Sequence, residues 1–158
     1  MGRLECGARC NVRRSWCVIG VDTNILVHAH REDSPWHERA RRALAALGGE
    51  RWGVPWPCVH EFVAIVTHPK IFNPPTPLDD AITAVDTWLE APSLALLGEL
   101  DGYWSVLAEL LRSARVVGPR VHDARIAALC LQHGVRELWT MDRDFSRFTR
   151  LPTRNPLA

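Results

Sequence analysis

The stretch from Cys17 to Asn24, C-V-I-G-V-D-T-N, constrains this chain more than any other. Uncharged residues run without polar and apolar alternation into an aspartate, as in a strand buried on both faces of a parallel sheet. Parallel strands need crossover connections, usually helices, so an α/β fold is predicted. In open sheets of that class ligands bind beyond the carboxyl ends of the strands. Asp22 falls there, followed by Thr23 and Asn24 at the entry to a helix.

The rest of the chain keeps the alternation of strand and helix. A short helix is predicted over Asn24 to Arg31, a second from Pro35, capped by Ser34, to about Leu47, and a strand over Arg51 to Trp56. Cys58 to His68 reads as a helix stopped by Pro69, and Asn73 to Pro77 as a loop whose Thr76 caps a helix to about Glu90. Leu94 to Leu97 reads as a strand, Asp101 as the cap of a helix to about Ala114, and His122 to His133 as a helix ended by Gly134. Glu137 to Met141 is then a strand running into Asp142, which repeats the opening pattern. One helical turn over Phe145 to Phe148 and an edge segment over Leu151 to Pro156 close the chain.

A chain of 158 residues with 47% hydrophobic content is enough for one domain with its own core, expected over residues 17–158. Residues 1–16 lack periodicity and read as a flexible extension or an overlong start. They have no apolar segment of the kind a secretory signal needs, and no run approaches the ~18 residues of a membrane span. A cytoplasmic protein without membrane partners is expected. Five cysteines, an odd number without a C-x-x-C pair, argue against a disulfide framework or a zinc site.

Four acids fall at one edge of the expected sheet: Asp22 and Asp142 after strands, Glu61 at the border of an apolar helix face, and Asp123 inside the apolar arc of its helix. Taken singly each has a plainer reading, Glu61 as a boundary residue, Asp123 as a helix cap, Asp142 and Asp144 as turn residues. Together, carboxylates converging at strand ends repel one another by several kcal/mol at low dielectric unless a cation neutralises them. All-oxygen ligands suit Mg²⁺ or Mn²⁺ rather than Zn²⁺. An ion of that kind activates water for attack on phosphodiesters. The chain lacks a G-x-x-x-x-G-K-[ST] or G-x-G-x-x-G loop, and Asn24 stands where an aspartyl-phosphate phosphatase needs a second aspartate. The seven histidines read as surface or packing residues, and most of the seven tryptophans as core.

The net charge of +1 conceals a partition. Residues 52–111 carry one lysine against eight acids, whereas residues 112–158 carry nine arginines against four. Phosphate contacts are therefore sought in the last third, at Arg143, Arg147 and Arg150. Scattered, solvated charge is the plainer alternative.

With Asp22-Thr23-Asn24, Glu61, the run His122-Asp123-Ala124-Arg125-Ile126-Ala127-Ala128 and the turn Thr140-Met141-Asp142-Arg143-Asp144-Phe145 in this order, the chain resembles PIN-domain ribonucleases of the VapC toxin type. The resemblance runs from about Val18 to Leu157 and includes the closing Asn155-Pro156-Leu157. It implies a three-layer α/β/α sandwich on a parallel sheet of four or five strands. It further implies a Mg²⁺- or Mn²⁺-dependent endoribonuclease, often a homodimer, inhibited by a small antitoxin. Carried over by motif, Asp22, Glu61, Asp123 and Asp142 are the metal-binding acids, Asp144 an outer ligand, and Asn24 and Thr140 the residues that orient them. A PIN-like module that grips RNA or a partner without cutting is the alternative, and the intact acid set favours the enzyme.

Overall fold

The computed structural model describes residues 18–158, so the extension expected over residues 1–16 lies outside the described residues, as does Cys17. Five strands, β1 (Val18–Val21), β2 (Trp52–Pro55), β3 (Leu94–Leu97), β4 (Val135–Trp139) and β5 (Thr153–Arg154), form one sheet in the order β3-β2-β1-β4-β5. Every pairing is parallel. Six helices cover it: α1 (Thr23–His30), α2 (His37–Ala46), α3 (Trp56–Val66), α4 (Leu78–Leu89), α5 (Tyr103–Ser113) and α6 (Val121–Gln132). α1 packs on α2 and α3, and α3 on α4; α5 pairs with α6, which completes a three-layer α/β/α sandwich.

β1 sits at the centre because its residues are apolar or glycine on both faces and all are buried. From β1 the chain moves to β2 and β3 on one side, then returns across the sheet to place β4 on the other. The strand order therefore reverses between β1 and β4, and a crevice opens beyond their carboxyl ends. Gly53 allows β2 and β3 to pack closely, since a Cβ there would stand 2.9 Å from the buried Leu97 side chain.

The helices start where local chemistry permits, and three of the expected caps are corrected. Ser34 Oγ accepts the Trp36 N–H in a turn, so α2 begins only at His37. Thr76 does not cap α4; its hydroxyl accepts from Arg31 Nη1 at 3.2 Å and lies 3.3 Å from His30 Nε2, binding the loop to α1. Asp101 gives way to Gly102, whose φ of 78° suits glycine at the start of α5. β4 lies two residues earlier than the hydrophobic run suggests, so that Thr140 and Met141 already belong to the loop at the crevice.

Candidate active site

The crevice at the β1/β4 switch point is a cavity of about 210 Å³ walled by Asp22, Glu61, Asp123 and Asp142, with Thr23, Asn24 and His28 from α1. The expected acids thus meet in one place although they come from four separate elements. Asp22 is 4% exposed and extends the sheet by one bond, its N–H donating to Trp139 O at 3.0 Å. Its Oδ1 accepts from Thr23 N at 2.8 Å and from the Cys58 thiol at 3.6 Å. Its Oδ2 accepts from Asn24 Nδ2 at 2.8 Å and from Thr140 Oγ1 at 2.6 Å.

Asn24 and Thr140, expected to orient the acids, both hydrogen-bond to Asp22 and to each other. The second Asn24 amide hydrogen goes to Thr140 Oγ1 at 3.1 Å, and its carbonyl accepts the Met141 N–H at 3.1 Å. Thr140 Oγ1 also accepts the Asp142 N–H at 2.9 Å. The hydroxyl thus has both lone pairs filled, and its single proton can point only at Asp22.

Glu61 is positioned by Thr23, whose Oγ1 donates to Oε2 at 2.6 Å. Asp142 opens a 3₁₀ turn, Arg143–Arg147, by accepting the Asp144 N–H at 2.8 Å, so the turn role is real and leaves its other oxygen uncommitted. Asp123 is different. It is the third residue of α6, half-buried, and no side-chain hydrogen bond caps that helix. The capping reading of Asp123 therefore fails.

Electrostatics follow this geometry. Burial, with the nearby Glu61 charge, lifts the Asp22 carboxyl to about 6 against the hydrogen bonds that favour its ionised form. Asp123 is raised by burial and then by Asp142, Asp144 and Glu61, with Arg147 opposing. Asp22 and Asp123 thus both stand against the charge of Glu61, a situation that a cation relieves. The donor chemistry fits a hard divalent ion, although no three His, Cys, Asp or Glu side chains among the described residues stand as a ready-made cage.

Asp144 is the acid expected as an outer ligand. It is absent from the cavity wall and faces Arg147 at 3.7 Å and Arg120 at 3.9 Å. Of the candidate RNA contacts, Arg147 is held by Asp144 and Arg150 by Glu109 at 3.1 Å, whereas Arg143 lies exposed on the turn beside Asp142. Sequence reasoning missed three residues of the site. Thr23 was visible as the residue between Asp22 and Asn24, but its reach to Glu61 requires α1 and α3 to pack together. The sequence pattern puts His28 among surface or packing residues, yet it lines the cavity, its Nδ1 2.8 Å from Ser34 Oγ and its basicity lowered by burial. Cys58 lies in an apolar helix, and only its place behind Asp22 gives it a polar role.

A parallel α/β sheet with carboxylates gathered at its topological switch point defines the class, an α/β protein with an acidic pocket beyond its strand ends. The PIN domain model matches residues 19–151, and the chain belongs to that family. It is 36% identical over 142 residues to ribonuclease VapC43 of Mycobacterium tuberculosis, covering 89% of this chain and 96% of the relative. To ribonuclease VapC37 of the same organism it is 35% identical, covering 87% and 96%. Among solved structures, VapBC2 from Rickettsia felis bound to a promoter DNA fragment superposes with a TM-score of 0.66 at 16% identity, over 87% of this chain and 97% of that one.

Proposed function

We propose that this chain is a Mg²⁺- or Mn²⁺-dependent endoribonuclease of the cytoplasm, the toxin of a toxin–antitoxin pair. The observation that carries the reading is the half-buried Asp123 carboxylate, facing Asp22, Glu61 and Asp142 in one cavity and serving no cap. The ribonuclease names of the VapC relatives support it. Asp22, Glu61, Asp123 and Asp142 would hold the ion, which when bound supplies an activated water and charge neutralisation for hydrolysis of an RNA phosphodiester.

The chain's own residues prepare that chemistry. Thr23, Asn24 and Thr140 fix both oxygens of Asp22 before any ligand arrives, and Thr23 holds Glu61 at the same time. Such preorganisation avoids reordering the acids during reaction. Arg143, exposed on the turn beside Asp142, would meet a phosphate entering the cavity.

A protein partner is part of the reading. Leu78, Ile82 and Leu89 lie along one face of α4, and each is exposed, as is the nearby loop residue Ile71. An apolar stripe of this kind marks a protein interface. Together with the VapBC2 complex among the structural neighbours, it supports a small antitoxin and a homodimer as partners.

The test is cleavage of single-stranded RNA by the purified chain in Mg²⁺, in chelator, and with Mn²⁺ added back. Cutting that stops in chelator and returns with metal is expected. RNA binding without cutting under every condition would replace the enzyme by a binding module.

A further inference from the structure

A second cavity, of about 350 Å³, adjoins the first and shares Glu61, Asp123 and Ile126 with it. Its remaining wall has a different chemistry: Pro57, His60 and Ala64 from α3 stand across from His122 and Arg125 of α6. Three groups that carry or can take up a proton are thus set beside the acids, and the hydrolysis described above uses none of them.

His60 is exposed, and its ring stands beside the indole of Trp56 one helical turn earlier, with centroids 5.9 Å apart and planes inclined by 30°. Trp56 is 40% exposed, whereas Trp52 and Trp139 are buried in the sheet. The pair adds little to the core: His60 presents its aromatic ring at the cavity, and Trp56, outside the wall, backs it. On the opposite wall the ion pair of Arg125 with Glu99 is long, 3.9 Å, and solvent-exposed, so it costs little to exchange for another anion.

A platform for a planar ring and a guanidinium, at the rim of a carboxylate pocket, fits one nucleotide with its base unstacked. A base within a duplex has both faces covered and could not use it. We infer that this cavity seats the nucleotide next to the scissile phosphate of a single-stranded RNA, the base stacked on His60, which Trp56 backs, and the phosphate against Arg125. The inference rests on the ribonuclease reading.

Two measurements test it. In cleavage of single-stranded RNA in Mg²⁺, His60→Ala is expected to raise KM about tenfold with kcat changed far less, and His60→Phe, which keeps an aromatic face, to restore KM. Arg125→Gln is expected to raise KM and flatten its salt dependence by about one phosphate contact. A 4-thiouridine oligonucleotide crosslinked to the intact chain is expected to mark the peptide containing Trp56 and His60, and to lose that mark in Trp56→Leu. Unchanged KM in both His60→Ala and Arg125→Gln, with the crosslink elsewhere, overturns the subsite while leaving the nuclease intact. If the wild-type chain cuts no RNA, the ribonuclease reading falls, and the crosslink alone decides whether the cavity takes a nucleotide.

Discussion

Thr140 Oγ1 and Asp22 Oδ2 stand 2.6 Å apart although 118 residues separate them in the chain. The threonine proton has no other acceptor to choose, because its oxygen already accepts from Asn24 and from the Asp142 backbone. Thr140→Val keeps the shape and removes the donor, so Asp22 is expected to titrate higher still. Loss of a hydrogen bond to a charged group costs about 1.5–3 kcal/mol, and RNA cleavage is expected to fall by at least tenfold. Thr140→Ser is expected to restore both. Melting curves and cleavage rates of the two variants, measured side by side, check this.

Asp123→Asn removes a charge and no hydrogen bond. In chelator the variant is expected to melt higher than wild type, since Asp142, Asp144 and Glu61 no longer repel it. Added Mg²⁺ is expected to stabilise it less than wild type, and cleavage to drop by orders of magnitude. A variant that melts lower in chelator, responds to Mg²⁺ as before and still cuts would remove Asp123 from the site.

The pH dependence of stability in chelator follows from Asp22. Its carboxyl is raised from 3.8 to about 6 in the folded chain, so the native state holds the proton more tightly than the unfolded one. The contribution is therefore fully present below pH ~4 and is lost as pH rises through ~6, by about 3 kcal/mol for a shift of this size. Denaturant titrations across that window are expected to show stability falling with pH, and the fall to shrink when Mg²⁺ is present. A rise with pH over the same range would contradict the buried, desolvated Asp22.

The arginines of the last turn are expected to separate. Arg143→Ala should weaken RNA binding and flatten the slope of log affinity against log salt by about 0.7, the value for one phosphate contact on a single strand. Arg150→Ala should do less, because Glu109 already engages that side chain. Equal effects from the two would show that the Glu109 pair yields to RNA.

Much of this was legible in the sequence, for physical reasons that can be named. A strand buried on both faces cannot alternate, so the run before Asp22 announced a central parallel strand, and a strand end in such a sheet announced the site. The acids were legible because no apolar helix face tolerates Asp123 without a partner. What stayed hidden depends on packing between distant segments. The reach of Thr23 to Glu61, the approach of Cys58 to Asp22 and the capture of Thr76 by α1 leave no local pattern. Asp144 illustrates the reverse case: two residues after Asp142 it looks like a ligand, but it lies off the cavity wall, with Arg120 and Arg147 beside it.

The reversal of strand order between β1 and β4 also sets when the site can exist during synthesis. A ribosome that has delivered residues up to the end of α6 has already produced Asp22, Glu61 and Asp123, but neither Thr140 nor Asp142. The central strand then lacks one neighbour, Asp22 lacks the backbone and hydroxyl groups that hold it, and the fourth carboxylate is missing. A nascent chain that ends at α6 therefore cannot yet assemble the four-acid pocket, which closes only when β4 and the turn after it have docked.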